Sequence, residues 1–494
     1  MRLICCSLTL IVTAIVLLAF GCSKPNRVIA HNRPTSVKPP LIDRARMEQL
    51  GMYDEPELLD AEWMGSLAIT NRVNGIQTGA LLVTQLPDFN PAKQNKKKIV
   101  SNSLADWNIC GFRDRPCRVL LPVSIGEQES KAQLHLQQIA ILARSLDLTL
   151  VLPNMHKARF GACARNKFED YYQVESLTQL GVRVVTYVAL QEWVATRRVA
   201  PKTQVIEITA KGQSRGDGKA ITELGDVTNS PSWRRCLSKS IPRLDYAKLK
   251  IQLAQTSTRS VELVEFGERT IQMLQPIVDM DEFQVYALDW SLRHPIFEET
   301  ASRYLAYAQG ILDYANKLLD TAGPTVVVQW RMESIPSENL LACSSGLITL
   351  LRLTLTLQEH DGVKTVYFAT DYPLEGAEAR HSGTFRDVGD RHRAAISEFH
   401  NAFQPGGTLR AYKLTNYAEL SQNVEHDESL PVNDPGFLGI VDKLIAQRAE
   451  LFISGSSGSC ARNSSFTKQI IDARRGSRDQ TKVRNNVMFF ERET

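Results

Sequence analysis

Along most of this chain, apolar residues occur either in short unbroken runs or at every third or fourth position. Arg118–Val123 (RVLLPV) predicts a buried strand. Glu127–Leu146 predicts a helix, with Ala132, Leu136, Ala140 and Ala143 on one face. Thr149–Pro153 (TLVLP), Val182–Val188, Val205–Ile208 and Phe283–Leu288 read as further strands. The alternation resumes with helix Phe297–Leu319, strand Thr325–Val328, helix Glu338–Leu357 and strand Thr365–Ala369. Helix Pro435–Arg448 is opened by Asp434 as N-cap with Pro435 at the first helical position. Strand Glu450–Ser454 and helix Phe466–Arg475, closed by Gly476, complete the series. Strands alternating with helices predict an α/β fold built on parallel sheets. The series restarts after an irregular middle near Ser230–Ile296, so two Rossmann-like halves facing a cleft are expected, over 106–300 and 301–494.

The amino-terminal part does not share this pattern. Leu3–Cys22 is an uncharged apolar run of 20 residues, long enough for one bilayer-spanning helix, and residues 1–22 read as a signal anchor. Cleavage as a signal peptide, or as a lipoprotein at Ala19-Phe20-Gly21-Cys22, remains open. Lys24, Arg27, Arg33 and Lys38 on the far flank oppose a simple positive-inside reading with the body in a lumen. Residues 23–105 are polar and Pro-rich, as a stem would be. The nearly apolar stretch Asn339–Leu357 contains Ser344, Ser345 and Arg352 and reads as a buried crossover helix rather than a second span.

Composition narrows the function. The chain has 494 residues, 43% hydrophobic and 23% charged, with a net charge of +4. That is ordinary globular composition without the basic density of a nucleic-acid binder, and no nucleic-acid partner is expected. Lys93–Lys98 reads as a solvated linker. Outside the apolar segment lie Cys110, Cys117, Cys163, Cys236, Cys343 and Cys460. An even number permits disulfides, with Cys110 and Cys117 the nearest pair, and none of the spacings suggests zinc.

In an open α/β sheet, ligands bind beyond the carboxyl ends of the strands. Four such ends carry chemistry. Ser124-Ile125-Gly126-Glu127-Gln128 joins a strand to a helix N-terminus that favours negative charge, or is a simple glycine turn. The strand Val326–Trp330 ends in Arg331, whose fork suits phosphate oxygens unless it only pairs with Glu333. Thr370-Asp371 ends the next strand, where the acid can accept from a base or ribose, or cap a turn. Ser454–Phe466 (SGSSGSCARNSSF) is a Gly/Ser-rich loop entering a helix, an anion cradle in which Ser464 or Ser465 also suits an N-cap.

In this order the segments resemble motifs of the GDP-fucose protein O-fucosyltransferase family. Gly126-Glu127-Gln128 with Leu142–Pro153 is similar to its Gly-Asn-Gln turn and Arg-Thr-Leu-Val-Leu-Pro segment. Gln329-Trp330-Arg331 is similar to its His-x-Arg motif, and Tyr367–Asp371 to its Leu-Ala-Thr-Asp strand end. Phe452-Ile453, with Ser464-Ser465-Phe466-Thr467, is similar to its last motif. The resemblance implies a two-Rossmann (GT-B) glycosyltransferase, inverting and metal-independent, that moves fucose from GDP-fucose to a protein hydroxyl. It further implies that Arg331 grips the departing β-phosphate, that Ser464, Ser465 and Phe466 open the helix holding the diphosphate, and that Asp371 meets guanosine. Gly126 and Gln128 would line the acceptor side. Gln329 stands where the family has histidine, and Glu127 where it has asparagine, which nominates Glu127 as the acceptor's general base. With the single anchor read from Leu3–Cys22, the resemblance and the even cysteine count imply a body in the Golgi or endoplasmic reticulum lumen, against the flanking charges. Two rivals stand beside this reading. One is a metal-dependent transferase using Asp279-Met280-Asp281. The other is an inactive, tethered binder of nucleotide sugar or protein. His135, His156, His294 and His360 read as packing residues.

Overall fold

The computed structural model describes residues 101–210, 219–223, 232–255, 259–298, 304–333, 335–356, 362–374, 388–476 and 487–493. The anchor expected at 1–22 and the stem as far as residue 100 lie outside the described residues. No helix among the described residues is long and apolar enough to cross a membrane. The fold is α/β with two parallel sheets.

The described body opens with helix α1 (Asn102–Cys110), which begins in the last residues that the sequence assigns to the stem and runs beyond them. It buries Asp106, which receives the guanidinium of Arg197 and the indole N–H of Trp193 at 2.9 Å. Strand β1 (Val119–Ile125) leads to α2 (Glu129–Ser145), which buries Leu136, Ile139, Ala140 and Ala143. Asp147 reverses the chain with φ of 52°, held by Arg115 and by Arg183 at 2.7 Å. There follow β2 (Thr149–Val151), the hairpin β3 (Met155–His156) with β4 (Arg159–Phe160), and β5 (Val184–Val185). The strand expected over Val182–Val188 is cut short because Thr186 caps a helix, α3 (Tyr187–Thr196). Next come β6 (Lys202–Thr209), β7 (Lys219–Glu223), α4 (Ser232–Ser240), β8 (Asp245–Ala254), α5 (Ser260–Asp279) and β9 (Val285–Ser291).

These strands form a seven-stranded sheet in the order β5-β2-β1-β9-β6-β8-β7, parallel except for β7 against β8. The middle expected to be irregular therefore supplies β8 and α5, and β9 sits beside β1 in the sheet interior.

The second sheet starts after α6 (Gln309–Ala322), which begins well beyond the expected Phe297. Phe297 and Leu305 instead pack as non-helical chain against α2, where Gln138 accepts from Phe297 N at 2.7 Å and Gln133 from Leu305 N at 3.1 Å. Strand β10 (Thr325–Trp330) is wholly buried, as expected of a central parallel strand. Then come α7 (Leu340–Leu355), β11 (Thr365–Thr370), α8 (Asp390–Asn401), β12 (Lys413–Thr415) and α9 (Pro435–Arg448). The series ends with β13 (Leu451–Gly455), α10 (Ser465–Gly476) and β14 (Val487–Phe490). The order β12-β11-β10-β13-β14 is parallel throughout. One hydrophobic cluster joins the sheets, running from Leu120, Leu150 and Leu288 to Val327, Tyr367 and Phe452.

Candidate functional site

In the second sheet, β11 and β12 lie on one side of β10, while β13 and β14 lie on the other. The connections leave β10 and β13 in opposite directions, so their carboxyl ends frame the crevice where open α/β sheets receive ligands. Arg331 follows β10, and the loop before α10 follows β13. The two meet: Arg331 Nη1 donates to Ser464 Oγ at 3.4 Å. The guanidinium is one-third exposed and is aimed by Glu333, which accepts from Nε at 2.8 Å and also from Nη2. The pairing with Glu333 is therefore present, and it orients the fork without burying it.

Asp371 holds this arrangement from β11. Its carboxylate accepts from the backbone N–H of Met332 at 2.8 Å and of Glu333 at 3.2 Å, fixing the two residues that follow Arg331. Burial pushes this carboxyl up to about 6, against the pull of those two amides. Gln329, one of the expected ligand contacts, is buried. Its Oε1 accepts from Ser454 Oγ and from Thr467 Oγ1, each at 2.9 Å, which pins β10, β13 and α10 together.

The loop Ser456–Ser464 is held just as firmly. Cys460 is disulfide-bonded to Cys343 of α7. A Cβ on Gly455 would stand 2.3 Å from the Cys460 carbonyl oxygen, so only glycine permits this approach. Helix α10 begins at Ser465, and Ser464 O accepts from Lys468 N at 2.9 Å. The first-turn N–H groups of Ser465, Phe466 and Thr467 therefore lack helical carbonyl partners, beside a guanidinium: the makings of an anion site.

The first half approaches the same helix. Lys443 of α9 is fully buried and donates to Glu129 Oε2 at 2.5 Å, Ser130 Oγ at 3.0 Å and Tyr307 OH at 3.1 Å. Its ammonium lies 5.2 Å from the Phe466 ring centre. Gln469 Nε2 donates to the Ser130 carbonyl at 2.8 Å. Glu129 also accepts from Tyr172 and Tyr307, each at 2.9 Å. Burial alone would raise Glu129, but Lys443 and the two phenols hold it below the usual carboxylate range. These bonds set the N-terminus of α2 beside that of α10. Gly126–Gln128 and Ser464–Phe466 each lie about one helical turn before the shared contacts. Glu127 sits at this turn, half-buried, with Lys131 at 3.8 Å. A second crossing uses Asp434, which caps α9 through Gly436 N at 2.6 Å and accepts from His156 Nδ1 at 2.5 Å and Lys157 N at 3.0 Å.

The sequence reading missed Lys443 with Glu129, and His156 with Asp434. Their signals were present as a lone lysine in an apolar helix and a cap residue with spare oxygens. The Asp279–Asp281 pair lies before β9, at the amino edge of the first sheet, where Arg118 donates to Asp281 at 3.1 Å. No group of three or more His, Cys, Asp or Glu suited to a metal occurs among the described residues. His135 is packed, accepting from Trp290 Nε1 at 3.2 Å, and burial lowers it to about 3. All six cysteines of the body pair: Cys110 with Cys117, Cys163 with Cys236, and Cys343 with Cys460.

No protein-family model matches the chain, and no curated protein matches it. Among solved structures it is similar to POFUT1 in complex with GDP-fucose, at 14% identity and a TM-score of 0.45, over 76% of this chain and 98% of that one. It is also similar to the apo-form of POFUT1, at 15% identity and a TM-score of 0.42, over 76% and 97%. NodZ alpha-1,6-fucosyltransferase co-crystallized with GDP shows 12% identity and a TM-score of 0.33, over 72% and 91%.

Proposed function

We propose that this chain is a glycosyltransferase of the GT-B type, moving fucose from GDP-fucose to a serine or threonine hydroxyl of a protein acceptor, with inversion and without a metal. The observation that carries the reading is the meeting of Arg331 with Ser464 at the head of α10, over the switch point of the second sheet. A fixed guanidinium and free helix amides are what a diphosphate leaving group needs, because negative charge grows on it as the sugar departs. Asp371 and Glu333 pre-set that guanidinium, so little reorganisation accompanies the developing charge. Gln329 braces the cradle from beneath, and guanosine extends over β11. The acceptor hydroxyl enters from the side of Gly126, Glu127 and Gln128. Residues 3–22 anchor the chain in the membrane with its body in a secretory lumen, the oxidising setting in which three disulfides persist.

The test is incubation of the purified protein with GDP-fucose, GDP-mannose and UDP-galactose, following nucleotide release and transfer to a panel of folded secreted proteins. GDP release selective for GDP-fucose, with label on protein hydroxyls, is expected. Binding of GDP without turnover on any acceptor would replace the transferase reading by that of an inactive nucleotide-sugar binder.

A further inference from the structure

The first sheet has a switch point of its own. β2 and β5 lie on one side of β1, and β9 and β6 on the other, so the carboxyl ends of β1 and β9 form its ligand-receiving edge. Gly126 follows β1 there. Its N–H donates to the Trp290 carbonyl at 2.8 Å, and a Cβ on it would come within 3.3 Å of Ser291 Oγ.

One face of this sheet changes character at that edge. Toward the amino ends it is apolar, with Val119, Leu121, Val205, Val285 and Ala287 in one buried cluster. At the carboxyl ends the same face turns polar. Asp289 and Ser291 of β9 are register partners of Glu207 and Thr209 of β6, and Ser124 of β1 partners Asp289. Trp233 Nε1 donates to Asp289 Oδ2 at 3.1 Å, and Lys250 of β8 donates to Glu207 at 2.5 Å. Thr209 Oγ1 is buried without a hydrogen-bond partner among the described residues. Packing asks for none of this, since apolar residues would continue the face at no cost in unsatisfied polar groups.

Resting on the transferase reading above, we propose that Asp289 is the general base for the acceptor, with Ser124, Thr209 and Ser291 seating the incoming hydroxyl. The hydroxyl proton passes to the Asp289 carboxylate as the oxygen bonds to C1 of the fucosyl group. The bond from C1 to the β-phosphate oxygen breaks, its electron pair leaves with GDP beside Arg331, and Asp289 then releases the proton to water. Burial raises Asp289 to about 6. The indole N–H lowers it, Glu207 raises it, and Lys250 and the Ser291 hydroxyl lower it. A carboxylate so placed is ionised at neutral pH yet basic enough to take a proton there. Glu127 is exposed enough to pair with Lys131 at the outer start of α2.

The test uses the full chain with GDP-fucose and water as the accepting hydroxyl, reading GDP release, with GDP binding measured separately. Asp289→Asn should keep wild-type GDP binding and lose about 10²–10⁴-fold in release. Wild-type release should rise with pH to a plateau above about 6. Trp233→Phe removes a donor to the ionised carboxylate and should move that limb up by about one unit. Unchanged release and an unchanged limb in Asp289→Asn, or the loss falling on Glu127→Gln instead, overturns this inference alone. A wild-type chain that binds GDP but releases none from GDP-fucose, with water or any acceptor, overturns this inference and the transferase reading together. A chain that neither binds GDP nor releases it overturns the transferase reading as well.

Discussion

Replacing Lys443 by methionine tests how the two halves are joined. The ammonium is fully buried and gives hydrogen bonds to Glu129, Ser130, Tyr307 and Gln469. Methionine fills similar space but leaves the Glu129 carboxylate buried with only neutral donors. Stranding one member of a buried ion pair costs about 3–5 kcal/mol. At roughly 2–4 °C for each kcal/mol in a large domain, the melting midpoint should fall by on the order of 10 °C. The double variant Lys443→Met/Glu129→Gln removes the stranded charge, and the coupling between the sites should reach at least about 2 kcal/mol. The pH dependence should also reverse. In the wild type, Glu129 is held below its ordinary 4.5, so its contribution is present above that value and is lost as pH falls through the folded pKa. Without Lys443, burial raises Glu129, and the variant should regain stability on acidification toward 4.5. Urea unfolding of the four proteins between pH 4 and 8 reads all of this. A cost below about 1 kcal/mol for Lys443→Met, or additive single effects, would refute the reasoning.

Asp371→Asn keeps one acceptor oxygen for two backbone donors, and should cost about 1–3 kcal/mol and weaken GDP binding roughly tenfold by loosening the Arg331 turn. Because burial raises Asp371 to about 6 from 3.8, its contribution to stability is present at low pH and is lost as pH rises through about 6. The variant should lack that limb in urea titrations. Gly455→Ala would bring a methyl to 2.3 Å from the Cys460 carbonyl and displace the loop. Calorimetry should show weaker GDP binding with β13 otherwise intact. Fucose transfer assayed in EDTA should proceed at the untreated rate, and a loss restored by Mn²⁺ would revive the case for Asp279 and Asp281.

The parts of the molecule that were legible are those whose signal is local. Asp434-Pro435 announced α9, Val326–Val328 a buried strand, and the spacing from Ala132 to Ala143 the inner face of α2. Segments misread were those where tertiary contacts outweigh periodicity. Phe297 and Leu305 suggested parts of one helix, yet neither is helical, and their N–H groups bond to Gln138 and Gln133. β8 escaped notice because its sequence, DYAKLKIQLA, alternates too many polar residues to read as a buried strand. Arg331 and Ser464 were each singled out because each ends or follows a parallel strand, and their coming together was what the family resemblance implied. Lys443 with Glu129 was not foreseen, since 314 residues separate them and neither belongs to a recognisable motif. Pairing of Cys163 with Cys236 and of Cys343 with Cys460 was likewise beyond spacing alone, because six cysteines allow about fifteen connectivities.

Calorimetric titration of GDP into the wild-type protein and into Arg331→Ala decides the matter at its centre. With the guanidinium and the α10 amides closing on one diphosphate, the wild type should bind GDP and the variant should bind it about ten- to a hundredfold more weakly, the loss of one or two charge-assisted hydrogen bonds. Equal dissociation constants in the two proteins, or no GDP binding by the wild type, would contradict it.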